Sequence, residues 1–138
     1  MVRKRQKFKY LRSYILTSAY TNTTIIADTA DVAGFMGKNV DAGYTVTMQD
    51  LVGVYTEAFL CNLVKYDIVS NWGTLSAIYK LMFSEYACRA IAIEAIKYET
   101  SGYSDRIEAE DMINIHLFKI REIEKILNKA SIEDFLGV

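Results

Sequence analysis

The chain has 138 residues, 51% of them apolar and 24% charged, which is enough for one packed domain and excludes a disordered or collagen-like chain. Its net charge of −1 conceals a split: residues 1–27 hold six bases and no acid, and everything after them holds ten bases against 17 acids. One histidine (His116) and two cysteines (Cys61, Cys88) lack finger or ribbon spacing, and neither a Gly-rich phosphate loop nor a Gly-x-Ser-x-Gly elbow is present, so the expectation is a non-enzymatic protein with no cofactor and no metal.

The first twenty residues, MVRKRQKFKYLRSYILTSAY, interleave bases with aromatics. Arg3, Lys4, Arg5, Lys7, Lys9 and Arg12 supply cations, and Tyr10 and Tyr14 stand among them. A like-charged block of this kind is expected to be an interaction arm. As a polyanion clamp it would neutralise phosphates of double-stranded DNA without reading sequence. A solubilising tail and a patch on anionic lipid are the other two readings. The stretch Tyr14 to Tyr20 is too short and too polar for the apolar part of a secretion signal.

Residues 21–47 read as irregular, because Thr, Asp and Asn are frequent and Gly34, Gly37 and Gly43 suggest turns. Short extended pieces are expected around Thr24–Ile26 and Tyr44–Val46. So long a loop is unusual in a compact domain and hints at a wrapping segment.

From residue 47 the periodicity is helical. Thr47 with Asp50 resembles a capping box, and the apolar positions run to about Val69. Asn71-Trp72-Gly73 reads as a turn with Thr74 as the next N-cap. A second helix is expected over Leu75 to about Thr100, with Ala87, Cys88, Ala90, Ala92 and Ala95 allowing close approach of a neighbour. Ser104 caps a third, from Asp105 to about Lys129, with the stripe Ile113, Leu117, Ile120, Ile123 and Leu127. Ser131 with Asp134 starts a short final turn. Charged residues interrupt every apolar stretch, which argues against a membrane span.

The expected fold is therefore all-α: a helical bundle of about four helices with an extended basic N-terminal arm. Residues 1–46 form the arm and irregular segment, and 47–138 the bundle. The two cysteines read first as core residues, then as a disulfide, and last as a catalytic thiol. His116 reads as structural, and Glu85 with Arg89 as a helix-surface pair. Tyrosines at 10, 14, 20, 44, 55, 66, 98 and 103 are candidates for protein–protein contact. Tyr55, Phe59, Trp72, Tyr79, Phe83 and Tyr86 are the expected subunit-interface residues.

In order along the chain, the basic aromatic start (MVRKRQKFKYLRSY), the segment TNTTIIADTADVAGFMGKNV, and NWGTLSAIYKLMF followed by ACRAIAIEAI resemble the major coat proteins of filamentous double-stranded DNA viruses of archaea, the rudiviruses and lipothrixviruses. Ala77-Ile78-Tyr79, with Phe83 and Arg89 behind it, is the nearest local likeness. The resemblance implies a virion protein that dimerises around linear DNA held in A form and polymerises into a helical nucleocapsid, assembled in the host cytoplasm. The second subunit would be itself or a paralogous coat protein, and a lipid envelope is a further partner left open. Carried over, Arg3, Lys4, Arg5, Lys7, Lys9 and Arg12 would contact phosphates. A small nucleoid-associated or regulatory DNA-binding protein is the alternative. A third reading comes from SEYACRAIAI and REIEKIL, which are similar to the C-terminal helix of the rotary ATPase gamma subunit. A stalk of that kind needs a paired N-terminal helix.

Overall fold

The computed structural model describes residues 24–99 and 106–128. Four α-helices make up this part, in the order α1 (Thr29–Met36), α2 (Val46–Val64), α3 (Ala77–Tyr98) and α4 (Arg106–Leu127), with a 3-10 turn at Trp72–Thr74. No strand occurs among the described residues. The bundle is thus all-α, as its periodicity predicts.

The first helix is a correction to the sequence reading, which leaves its residues irregular. Asp28 is extended and its carboxylate accepts from Ala30 N at 2.8 Å, satisfying an otherwise unpaired amide of the first turn. Gly34 does not break the helix. Gly37 ends it, at φ +79°, a backbone conformation that favours glycine. Val32 and Met36 are buried, so eight residues of modest helix propensity are held by packing. The extended piece expected at Tyr44–Val46 is the cap of α2 instead: Thr45 Oγ1 accepts from Met48 N at 3.3 Å.

Helix α2 stops at Val64, five residues short of the expected end, because Lys65 turns left-handed at φ 57°. The Asp67 carboxylate then takes both Ser70 N (3.0 Å) and Ser70 Oγ (2.8 Å), building a turn. Those two bonds hold its pKa below the usual carboxylate range. Thr74 does not cap α3. Its hydroxyl donates to Asn71 O at 2.9 Å inside the turn, and Ser76 occupies the N-cap position. The caps expected at Ser104 and Ser131 lie outside the described residues.

Helix α3 is the hub, for each of the other three helices packs on it. Ala87, Ala92 and Ala95 are fully buried along it, and their small side chains let neighbouring backbones come close. One cluster joins Ile26, Ala27, Val32, Met36 and Tyr44 to Leu60, Phe83, Ile91 and Leu127. Ile26, Ala27, Val32, Met36 and Tyr44 are therefore part of the bundle core, in a stretch that the sequence reading leaves irregular. Pattern reading misses this because the apolar residues there have neither a helical nor a strand period over a useful length.

Candidate nucleic-acid and subunit interfaces

The eight expected DNA contacts, Arg3, Lys4, Arg5, Lys7, Lys9, Tyr10, Arg12 and Tyr14, lie outside the described residues. The structure does describe where the chain that follows them enters the bundle. Thr24–Ile26 crosses α2 directly over Gly53, where a Cβ would stand 2.5 Å from Thr24 Cβ. Only glycine permits so close a crossing. One turn further along α2, the Glu57 carboxylate is buried under the same segment. Its Oε1 accepts from Thr24 Oγ1 (2.9 Å), Ile25 N and Ile26 N (3.0 Å). A buried carboxylate needs such donors to offset its lost hydration, and here one oxygen collects three. Gly53 and Glu57 together fix the point at which the N-terminal chain meets the body. Sequence reasoning counts Glu57 only as a charge that interrupts an apolar stretch. The signal it passes over is a lone Gly-x-x-x-Glu on one face of an otherwise apolar helix.

The six expected interface residues divide. Tyr55, 69% exposed, and Phe59 stand on the outer side of α2. Trp72 and Tyr79 are half-buried against the core. Lys80 Nζ lies 5.9 Å from the centre of the Trp72 ring. Phe83 and Tyr86 are in the chain's own core, which leaves them little or no surface to offer a neighbour. Tyr86 stacks on Phe59 at 6.1 Å and donates its hydroxyl to Glu124 Oε1 at 2.6 Å, tying α3 to α4. Burial and the carboxylate push that phenol well above its ordinary pKa. The sequence could not place these two residues, because α3 is apolar on several sides and its stripe does not say which side faces out.

A groove of about 240 Å³ runs between α2 and α3, lined by Val52, Tyr55, Phe59, Tyr86, Ala90 and Glu94. Tyr44, expected at a contact surface, is instead buried, with its ring 5.6 Å from that of Tyr98. Burial, and then the Glu94 charge, push the Tyr44 phenol up to about 12.

Arg89 is more than the surface ion pair its spacing suggests. It does bond Glu85 Oε1, at 2.9 Å from Nη2, yet its side chain is mostly buried. Its Nη1 lies 3.1 Å from His116 Nδ1, and its guanidinium sits 4.8 Å over the Phe35 ring. A guanidinium can only donate, so Nδ1 accepts, and Nε2–H donates to Phe35 O at 3.1 Å. This assigns a neutral imidazole, consistent with burial and then the Arg89 charge lowering the His116 pKa, against the opposing pull of the Phe35 carbonyl. The cluster pins α1 to α3 and α4.

Cys61 and Cys88 are free thiols. Burial, then Asp31, Asp28 and Glu85, push Cys88 up to about 12, so its thiolate is suppressed. Among the described residues no group of three or more His, Cys, Asp or Glu side chains is placed to hold a metal ion, and no helix is long and apolar enough to cross a membrane. No family model, curated protein or solved structure matches the chain.

Proposed function

We propose that this protein is a structural DNA-packaging subunit, a major coat protein that wraps linear double-stranded DNA and polymerises on it into a filamentous virion. The observation that carries the reading is the charge split: six bases and no acid in residues 1–27, followed by ten bases and 17 acids. A polycation joined to an anionic body has one side for phosphates and another that duplex DNA repels. The arm releases counterions from the duplex, and its contacts carry no base specificity. Each contact is weak, and linking many subunits along one duplex makes them effective together. The resemblance to rudivirus and lipothrixvirus coat proteins adds the dimer, the A-form duplex and the helical lattice. The anchoring of Thr24–Ile26 by Gly53 and Glu57 supports it mechanically, since a pull on the chain at Thr24 is taken up by α2.

The test is removal of residues 1–12. Full-length protein should bind duplex DNA with log K falling against log salt at a slope of roughly −5 if all six cations engage. The truncated protein should keep its helical circular-dichroism signal and lose DNA retention. An unchanged salt slope after truncation would overturn the arm's role. Electron microscopy of full-length protein on linear DNA separates continuous filaments, expected for a coat, from discrete dimers, expected for a regulator.

A further inference from the structure

Helix α1 is the shortest α-helix among the described residues. Its eight residues are too few to hold a helix alone in water, and it buries only Val32 and Met36. In its last turn the Phe35 carbonyl lacks a partner within the helix, and His116 Nε2–H supplies one at 3.1 Å. His116 is 6% exposed, with the Phe35 ring edge-on to its own at 6.3 Å. On the other side of the imidazole, Nδ1 accepts from Arg89 Nη1 at 3.1 Å. Arg89 is fixed in turn by Glu85 Oε1, 3.0 Å from Nε and 2.9 Å from Nη2, and by the face of the Phe35 ring.

This arrangement suits a neutral imidazole. A proton on Nδ1 would turn the acceptor into a donor facing a guanidinium, and would set two cations together where water is excluded. The surrounding charges do not offset it. Glu85 on α3 is engaged by Arg89, and Asp28 and Asp31 on α1 act on the Cys88 thiol rather than on the ring. Lys119, the cation one turn along α4 from His116, pairs with Glu122. A charged ring regains water only when a neighbouring element leaves. Helix α4 is held in the core by Ile120, Ile123 and Leu127 and by the bond from Tyr86 to Glu124, so α1 is the element that yields.

We propose that α1 is a proton-operated latch, closed on α3 and α4 while His116 is neutral and lifted by its protonation, with the other three helices staying packed. The lifted helix bares Cys88, a buried thiol on the part of α3 that Asp28 and Asp31 reach. The opened form takes up its proton at the ordinary 6.5 and the closed form only at lower pH. The latch is therefore tight above pH 6.5 and loosens as pH falls, its opening constant rising by at most about tenfold per pH unit. This goes beyond the packaging reading and does not rest on it, since the latch needs neither arm nor DNA.

The test is the accessibility of Cys88 in the full-length Cys61→Ser protein, read with dithiodipyridine, which reacts with thiols at acid pH. Dividing the rate in the folded protein by that of the urea-unfolded chain at the same pH gives the opening constant. It should rise by up to about tenfold between pH 7.5 and pH 5.5, with an unchanged helical circular-dichroism signal. In His116→Asn, whose amide can accept from Arg89 and donate to Phe35 without titrating, it should stay flat. That variant keeps every carboxylate, so a rise that survives in it belongs to another group and overturns the proposal. Hydrogen exchange on the wild type gives a reading independent of the variant's folding: protection of the α1 amides should fall over the same interval while that of α3 holds. Cys88 shielding indifferent to pH, or a loss of protection that α3 shares, overturns the latch. An arm deletion that leaves DNA binding intact sinks only the packaging role.

Discussion

Helices α3 and α4 are each 22 residues long, yet they meet opposite demands. Three neighbours pack on α3, so nine of its residues are buried and small side chains recur along it. Helix α4 touches the bundle along one stripe and turns the other to solvent. Length and apolar content therefore say little about a helix's burial. What decides is how many partners surround it: α4 packs on α3 and meets α1 at His116, and its opposite side, with Ile115 and Phe118, is left to solvent.

Two phenylalanines mark the extremes of that contrast. Phe83 on α3 is wholly buried, and Phe83→Ala should cost about 3–5 kcal/mol in urea unfolding, through lost burial and the cavity left behind. Next in size is the arm's anchor on α2. Glu57→Ala leaves the Ile26 amide buried without its acceptor and should cost about 1–3 kcal/mol by the same measurement.

The contact between α4 and the other helices depends on pH, with a sign set by His116. Its folded pKa is lowered from 6.5, so the unfolded chain takes up a proton before the folded one does. The stabilisation from the neutral imidazole is complete above pH 6.5 and is lost as pH falls from 6.5 towards the lowered folded value. The urea midpoint should drop between pH 7.5 and pH 5, and His116→Asn should flatten that part of the drop. An identical pH dependence in the variant would break the assignment of His116 as a neutral link between Arg89 and Phe35. The smallest effect belongs to Phe118→Ala on the outer face, which should alter monomer stability by no more than about 0.5 kcal/mol. A loss comparable with that of Phe83→Ala would place Phe118 inside a core and erase the contrast between the two helices.

Much of the bundle is legible from residue spacing. The bodies of α2, α3 and α4 follow from apolar positions three and four apart, and Gln49 to Val64, Ile78 to Tyr98 and Ile107 to Leu127 fall inside the expected helices. The ends are less legible. Lys65 stops α2 in a left-handed conformation that a lysine does not advertise. Helix α1 escapes notice because its glycines outweigh its Asp28 cap in a reading by composition. His116 is structural and Arg89 pairs with Glu85, as expected, but the burial of Glu57 and the further partners of Arg89 and His116 go unread for a shared reason: each partner lies 27 or more residues away in sequence, at Thr24 to Ile26, His116 and Phe35. Such pairings leave no local period to read.

By itself, the sequence determined the two quantities that depend on order along the chain alone: the helical period of the body, and the separation of six cations from the acids that follow. Local backbone geometry and charge are additive along a chain, so they need no fold to be evaluated. The tertiary structure alone decided which apolar faces are covered. It put Phe83 and Tyr86 inside and left Ile115 and Phe118 outside, and it brought a buried carboxylate under Thr24–Ile26. Burial depends on which other elements arrive at a face, and only the packed bundle brings them there.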